Sequence, residues 1–294
     1  MLQLIRRNLL IYLRDRAAVF FSVLSVLIAV GIYILFLAEL QIDNIENVVS
    51  GYGIPTKDIK WLVNCWIIAG LLSIVPVTSC LGAFGVMVED REKKIMKDFR
   101  SAPIHTFKYP VAAVFSSAIV GFIMSLLSFL LYSIYIVVQT GYSFRLEQMI
   151  EAVGMIILTS IFSCTILGLF VSFFKTSSSY NGLSIIIGTI VGFINGVYVP
   201  LGILPKFLQV IVKVIPFSHT ATVFRKLLMT EAMNQVFVQG NTQAVLDYRE
   251  LYGVDYIVNN KSLSIEISLL YAGIWSLVSL GIYFIKSRSK VKEC

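Results

Sequence analysis

Six stretches of the chain, 17–38, 61–88, 109–144, 152–174, 176–205 and 267–285, contain no Asp, Glu, Lys or Arg. A helix rises about 1.5 Å per residue, so roughly 20 apolar residues cross a hydrocarbon core of about 30 Å. The pattern predicts six transmembrane helices. The longer runs exceed one crossing, and their surplus must tilt, re-enter or continue into the headgroups. Arg14 and Arg16 before the first run also suit a signal peptide, but the run is long and no small-x-small site follows. It reads as a retained first span.

Between and around these runs the polar positions are organised. In residues 1–16, Leu2, Ile5, Leu9, Tyr12 and Leu13 fall on one helical arc and Gln3, Arg7 and Arg14 on the opposite one. This predicts an amphipathic helix lying on the membrane interface. The segment 89–108 is dense in both signs of charge but keeps Ile95, Met96 and Phe99 at helical spacing, a cluster suited to docking a partner. The segment 195–220 holds Pro200, Pro205 and Pro216, with Lys206 and Lys213 on one helical face. Prolines so placed do not suit a straight span. They predict that the fifth span stops near the outer surface and that 200–216 re-enters as a short amphipathic piece with its lysines toward water. Residues 217–262 are then an extracellular segment too short to fold comfortably alone, an ordered appendage in which Tyr248, Tyr252 and Tyr256 form a packing stripe along one helix face. Residues 263–294 supply the sixth span and a cytoplasmic tail. Spans one to five occupy 17–216.

Composition agrees with a lipid solvent. The 294 residues are 57% hydrophobic and 14% charged, against about a quarter charged in soluble domains, which excludes a soluble enzyme. The fold class is an all-α integral membrane protein. Fifteen of the 24 Lys and Arg lie in 1–16, 89–108, 175 and 286–292; basic residues collect on the cytoplasmic side, so both termini are expected there. The net charge of +7 follows from that bias and from anionic membrane lipids, and gives no reason to expect nucleic acid. Cys65, Cys80, Cys164 and Cys294 are scattered and suggest neither disulfides nor a metal. His105 and His219 are expected on opposite sides of the membrane. No Gly is followed by Lys, so there is no phosphate loop for a nucleotide; if ATP drives this protein, another chain binds it. The uncharged spans argue against an ion-coupled carrier. Small residues within them, among them Asn64, Ser73, Ser117 and Ser163, serve either helix packing or a pathway for a substrate with few charges.

Two local patterns carry a resemblance over nearly the whole chain. The run from Glu92 through Lys94, Ile95, Met96, Phe99 and Ser101 to Pro103 resembles the E-x-G-T-L-x-x-L-x-x-[ST]-P loop of the ABC type-2 exporter permeases, with Lys94 where Gly is usual and Ile95 where Thr is usual. The run from Gly196 through Pro200, Leu204 and Pro205 to Pro216, Ser218 and His219 is similar to that family's G-x-x-x-P…LP…P-x-[ST]-H segment. The resemblance implies that Glu92, Ile95, Met96, Phe99 and Pro103 form a loop coupling to an ATP-binding ABC subunit, which holds ATP and Mg. It implies that Pro200, Pro205, Lys206, Lys213 and Pro216 shape a re-entrant segment. It further implies a second permease copy, identical or related, in a cell membrane expected to be bacterial, and outward movement of an amphipathic or lipid-like cargo such as a drug, antimicrobial peptide or lipid or glycan precursor. The chain itself is then not an enzyme. A secondary carrier or channel, and a membrane scaffold or sensor subunit, are the alternative readings.

Overall fold

A computed structural model of the chain describes residues 1–16, 19–20, 24, 28, 31, 38–48, 53–95, 108–237, 242–258 and 261–292. Most of the first predicted span, 17–38, and most of the loop 89–108, including Met96, Phe99, Pro103 and His105, lie outside these residues.

The described chain is almost entirely helical, with one two-stranded ribbon. The helices are α1 (Leu2–Arg14), α2 (Ala38–Val48), α3 (Thr56–Glu92), α4 (Lys108–Thr140), α5 (Leu146–Val171), α6 (Ser177–Ile194), α7 (Lys206–Val214), α8 (Pro216–Val236), α9 (Thr242–Leu251) and α10 (Ile265–Lys292). The ribbon pairs β1 (Ile257–Val258) with β2 (Lys261–Ser262). Five helices, α3 to α6 and α10, are long and apolar enough to cross a membrane, or six crossings if the bent pair α7–α8 counts as one. The five coincide with the second to sixth predicted spans. The chain is an all-α integral membrane protein.

α3 is the central post. Its 37 residues reach about 55 Å at the helical rise, so both ends project beyond the hydrocarbon. In its apolar window 83% of residues are buried, against 17% for α6: α3 is walled in by protein, whereas α6 shows most of its surface to whatever surrounds the chain. Large side chains fill the N-terminal half of α3, Trp61, Leu62, Trp66 and Ile67 among them, and Phe84 lies buried farther along. Pro76 sits inside the helix and withholds one backbone donor. There α4 packs tightly against it: a Cβ on Gly121 would stand 2.7 Å from the Cys80 sulfur and 3.4 Å from the Pro76 carbonyl oxygen. Small residues at a membrane helix crossing bring backbones together where apolar side chains gain nothing over lipid. Serines on α10 do the same against α5, where the Thr165 and Ser276 hydroxyls meet at 2.5 Å.

The proline-rich stretch takes the form that its residues dictate. Pro200 precedes a short 3-10 turn, Leu201–Ile203, Pro205 is the N-cap of α7, and Pro216 is the first residue of α8. Each proline stands where a helix has no use for the missing N–H. α7 and α8 meet at 91°. α7 turns Phe207, Val210, Ile211 and Val214 outward. Lys206 is exposed, but Lys213 is half-buried and donates to the Ile257 carbonyl at 3.0 Å; expected in water, it fastens α7 to the ribbon instead.

The segment 217–262 is not peripheral throughout. Its first half is α8, which lies along α3 and buries Phe217, Phe224, Leu228 and Met233. The tyrosine stripe is broken as well: α9 ends at Leu251, Gly253 turns the chain at φ 67°, and Tyr256 leaves the helix for a separate cluster with Leu201 and Val212. Only Tyr248 and Tyr252 stack, with ring centroids 4.3 Å apart.

Candidate functional site

The last turn of α3 and the chain just beyond it form the densest polar junction at the basic end of the bundle. Three consecutive residues point in three directions, because successive side chains on a helix are about 100° apart. Asp90, its side chain 5% exposed, accepts two hydrogen bonds from the Arg7 guanidinium of α1, at 2.6 and 2.8 Å, and one from the Tyr109 hydroxyl of α4 at 2.5 Å. Arg91 donates to the carbonyls of Val171 and Phe174, at 3.0 and 3.2 Å, where α5 ends. Glu92 accepts the Ser177 backbone N–H at 3.1 Å and the Ser177 hydroxyl, at the start of α6. A carboxylate there suits the positive end of a helix. Tyr283 of α10 reaches the same end, its hydroxyl 3.4 Å from the Pro110 carbonyl. The segment 89–108 therefore departs from a post tied to α1, α4, α5 and α6 at once.

The pair Arg7–Asp90 is bidentate, the geometry in which guanidinium and carboxylate match best. Hydrogen bonding to Asp90 raises the Arg7 pKa above its ordinary value, against the opposing effect of burial. Arg7 thus stays charged while drawn into the bundle. α1 docks through Leu4, Asn8 and Tyr12, which are buried, and leaves Leu2 82% exposed. Tyr12, on the apolar arc expected to meet the membrane, packs into the bundle beside Ala83 and Met124.

Of the residues expected to couple to a partner, Glu92 is exposed and held by Ser177, and Ile95 lies at the edge of the described chain. Lys94, where the resembling loop carries Gly, has φ 60°. This left-handed conformation is the one glycine adopts without penalty, so the usual Gly has a backbone reason. The sequence reading missed Arg7, Asp90, Arg91 and Tyr109.

At the opposite end a second junction holds the proline-rich segment. Arg225 of α8 is fully buried and donates to the carbonyls of Asn195 and Gly196, at 2.6 and 2.9 Å, where α6 ends. Its guanidinium lies 5.6 Å from the Trp66 ring centre. Trp66 donates to the Tyr252 carbonyl at 3.0 Å, and Asn195 donates to Ser73 at 2.8 Å. Two glycines make room. Gly196 and Gly253 both have positive φ, 62° and 67°, and a Cβ on Gly253 would stand 2.5 Å from a Leu201 methyl and 2.8 Å from Arg225. Gly253→Ala is expected to cost roughly 2–4 kcal/mol, combining backbone strain with overpacking, and to appear as a lowered thermal midpoint in detergent. Gly154→Ala, with open space at its Cβ, is the control.

Nearby, Asp255 accepts from Lys226 at 2.9 Å and Arg249 at 2.5 Å. Burial works to raise its pKa, but the hydrogen bonds and charges of the two cations outweigh it and hold the carboxyl below its usual range. With the folded pKa depressed, this stabilisation is complete above the ordinary carboxylate value of about 3.9 and is lost as pH falls from there through the folded value. Wild type is expected to lose thermal stability over that window, and Asp255→Asn to start lower and show a flatter pH dependence.

Among the described residues no group of His, Cys, Asp or Glu is arranged to hold a metal ion. His219 is buried at the α7–α8 bend, 2.8 Å from the Lys213 carbonyl and packed against Tyr256 and Tyr271.

Membrane-length helices around a central post, with no nucleotide loop of their own, define a multi-span membrane protein. A family model described as ABC-2 family transporter protein matches residues 62–285. The chain belongs to that family and is an ABC permease subunit. No curated protein matches it.

Proposed function

We propose that the chain is the permease half of an ABC exporter, moving an amphipathic or lipid-like substrate outward with ATP hydrolysed, together with Mg, on a separate subunit. The subunit docks on 89–108, with Glu92, Ile95, Met96, Phe99 and Pro103 as the coupling residues. The observation that carries this reading is the junction at Asp90, Arg91 and Glu92: a force applied to the loop reaches α1, α4, α5 and α6 through three adjacent residues. The sparse burial of α6 supports a second copy, identical or related, completing the pathway. Both termini then lie in the cytoplasm and the chain resides in the plasma membrane. The small polar residues of α3, α4 and α5 favour cargo with few fixed charges over a large folded one.

The test is to purify the chain from its native membrane in mild detergent, identify its companions and measure ATP hydrolysis. An ATP-binding subunit whose association weakens several-fold in Met96→Ala and Phe99→Ala supports the reading. A stable particle containing this chain alone overturns it, and points to a carrier, channel or scaffold.

A further inference from the structure

α1 has two faces, and only one is accounted for by the bundle. Beside the docked residues Leu4, Asn8 and Tyr12, a groove of about 530 Å³ runs from the half-buried Ile5 and Leu9 to the exposed Leu2, Gln3, Arg6 and Leu10. The lining is apolar but for Gln3 and Arg6, and Arg6 is exposed and forms no ion pair among the described residues. Arg6 and Arg7 are neighbours, yet Arg7 is turned to Asp90 while Arg6 points out beside the groove. An open apolar groove with one cation at its border is complementary to a molecule with an acyl tail and an anionic head.

We propose that this groove binds an anionic phospholipid, one acyl chain along Ile5 and Leu9 and the phosphate on Arg6. The lipid comes from the leaflet on which α1 lies, the inner one under the orientation proposed above. Occupancy fixes the roll of α1 about its axis and so steadies Arg7 on Asp90, one peptide away. α1 thereby reports the charge of the leaflet to the root of the 89–108 loop. The binding claim stands on α1 alone; its effect on ATP hydrolysis rests on the permease reading.

The experiment uses the full chain in nanodiscs of phosphatidylcholine with spin-labelled phosphatidylglycerol or spin-labelled phosphatidylcholine as probe. Wild type is expected to retain the anionic probe preferentially. Arg6→Gln is expected to lose about fivefold of that preference, equivalent to the ~1 kcal/mol one arginine contributes beside an anionic surface. Arg14→Gln removes the same charge from an exposed position outside the groove and is expected to change little. Equal losses in the two variants, or no preference in wild type, overturn the proposal by reducing it to general surface charge. Displacement of the probe by soluble glycerophosphate also overturns it, since a free phosphate site would then suffice. With binding established, hydrolysis by the co-purified ATPase is expected to depend on phosphatidylglycerol in wild type and not in Arg6→Gln. Intact binding with no ATPase partner would retire the permease reading and leave the lipid site standing.

Discussion

Replacing Arg225 by methionine is expected to lower the thermal midpoint of the detergent-solubilised chain sharply, although methionine keeps most of the volume. The guanidinium is fully buried and supplies donors to the Asn195 and Gly196 carbonyls and an edge against Trp66. Removing it leaves buried carbonyl oxygens without that donor, at about 1–3 kcal/mol for each one stranded. Arg225→Ala adds a cavity, and its expected total of roughly 4 kcal/mol or more places it among the few severe single substitutions. Arg225→Lys is expected to be intermediate, since a single ammonium on a shorter reach would replace both Nη2, which serves the Asn195 and Gly196 carbonyls, and Nη1, which reaches the Gly253 carbonyl at 3.4 Å. A Met variant as stable as wild type would show that the carbonyls are satisfied without the arginine.

Asp90→Ala has the second large effect, and it falls on coupling. The substitution strips Arg7 of a bidentate partner and Tyr109 of an acceptor. Breaking one side of such a partly buried pair costs about 3 kcal/mol or more, and nearly all of that cost falls on the docking of α1. Amide exchange in α1 is expected to speed up by tenfold or more, while exchange in the buried centre of α3 stays slow. Under the proposed function, hydrolysis by the partner ATPase is expected to lose its response to cargo. Asp90→Asn keeps the Tyr109 bond and lies between. The exchanged pair Arg7→Asp with Asp90→Arg recovers part of the protection. Unchanged exchange in α1 after Asp90→Ala would mean that the helix is held by its apolar face alone.

What the sequence disclosed and what it concealed divide along physical lines. The spans were legible because lipid tolerates no charge, so the charge-free runs mark α3 to α6 and α10 directly. Pro200, Pro205 and Pro216 were legible because three prolines so close together do not suit a straight span, whereas the lone Pro76 is absorbed within α3. Arg7 and Asp90 were not: they are 83 residues apart, and each reads locally as one of several solvated charges. Arg225 was hidden in the same way, in a stretch whose mixed composition resembles a loop although α8 is core. Lys213 and Tyr12 were assigned to faces by periodicity alone, and periodicity does not tell which side of a helix meets protein and which meets lipid or water.

The order Asp90, Arg91, Glu92 has a mechanical consequence. Their contacts leave α3 like three spokes from one hub, toward α1 and α4, the end of α5 and the start of α6. Turning the hub by a fraction of a residue's rotation moves all three spokes together, so no one of them slackens alone. A torque on this end of α3 is thereby shared among four neighbouring helices.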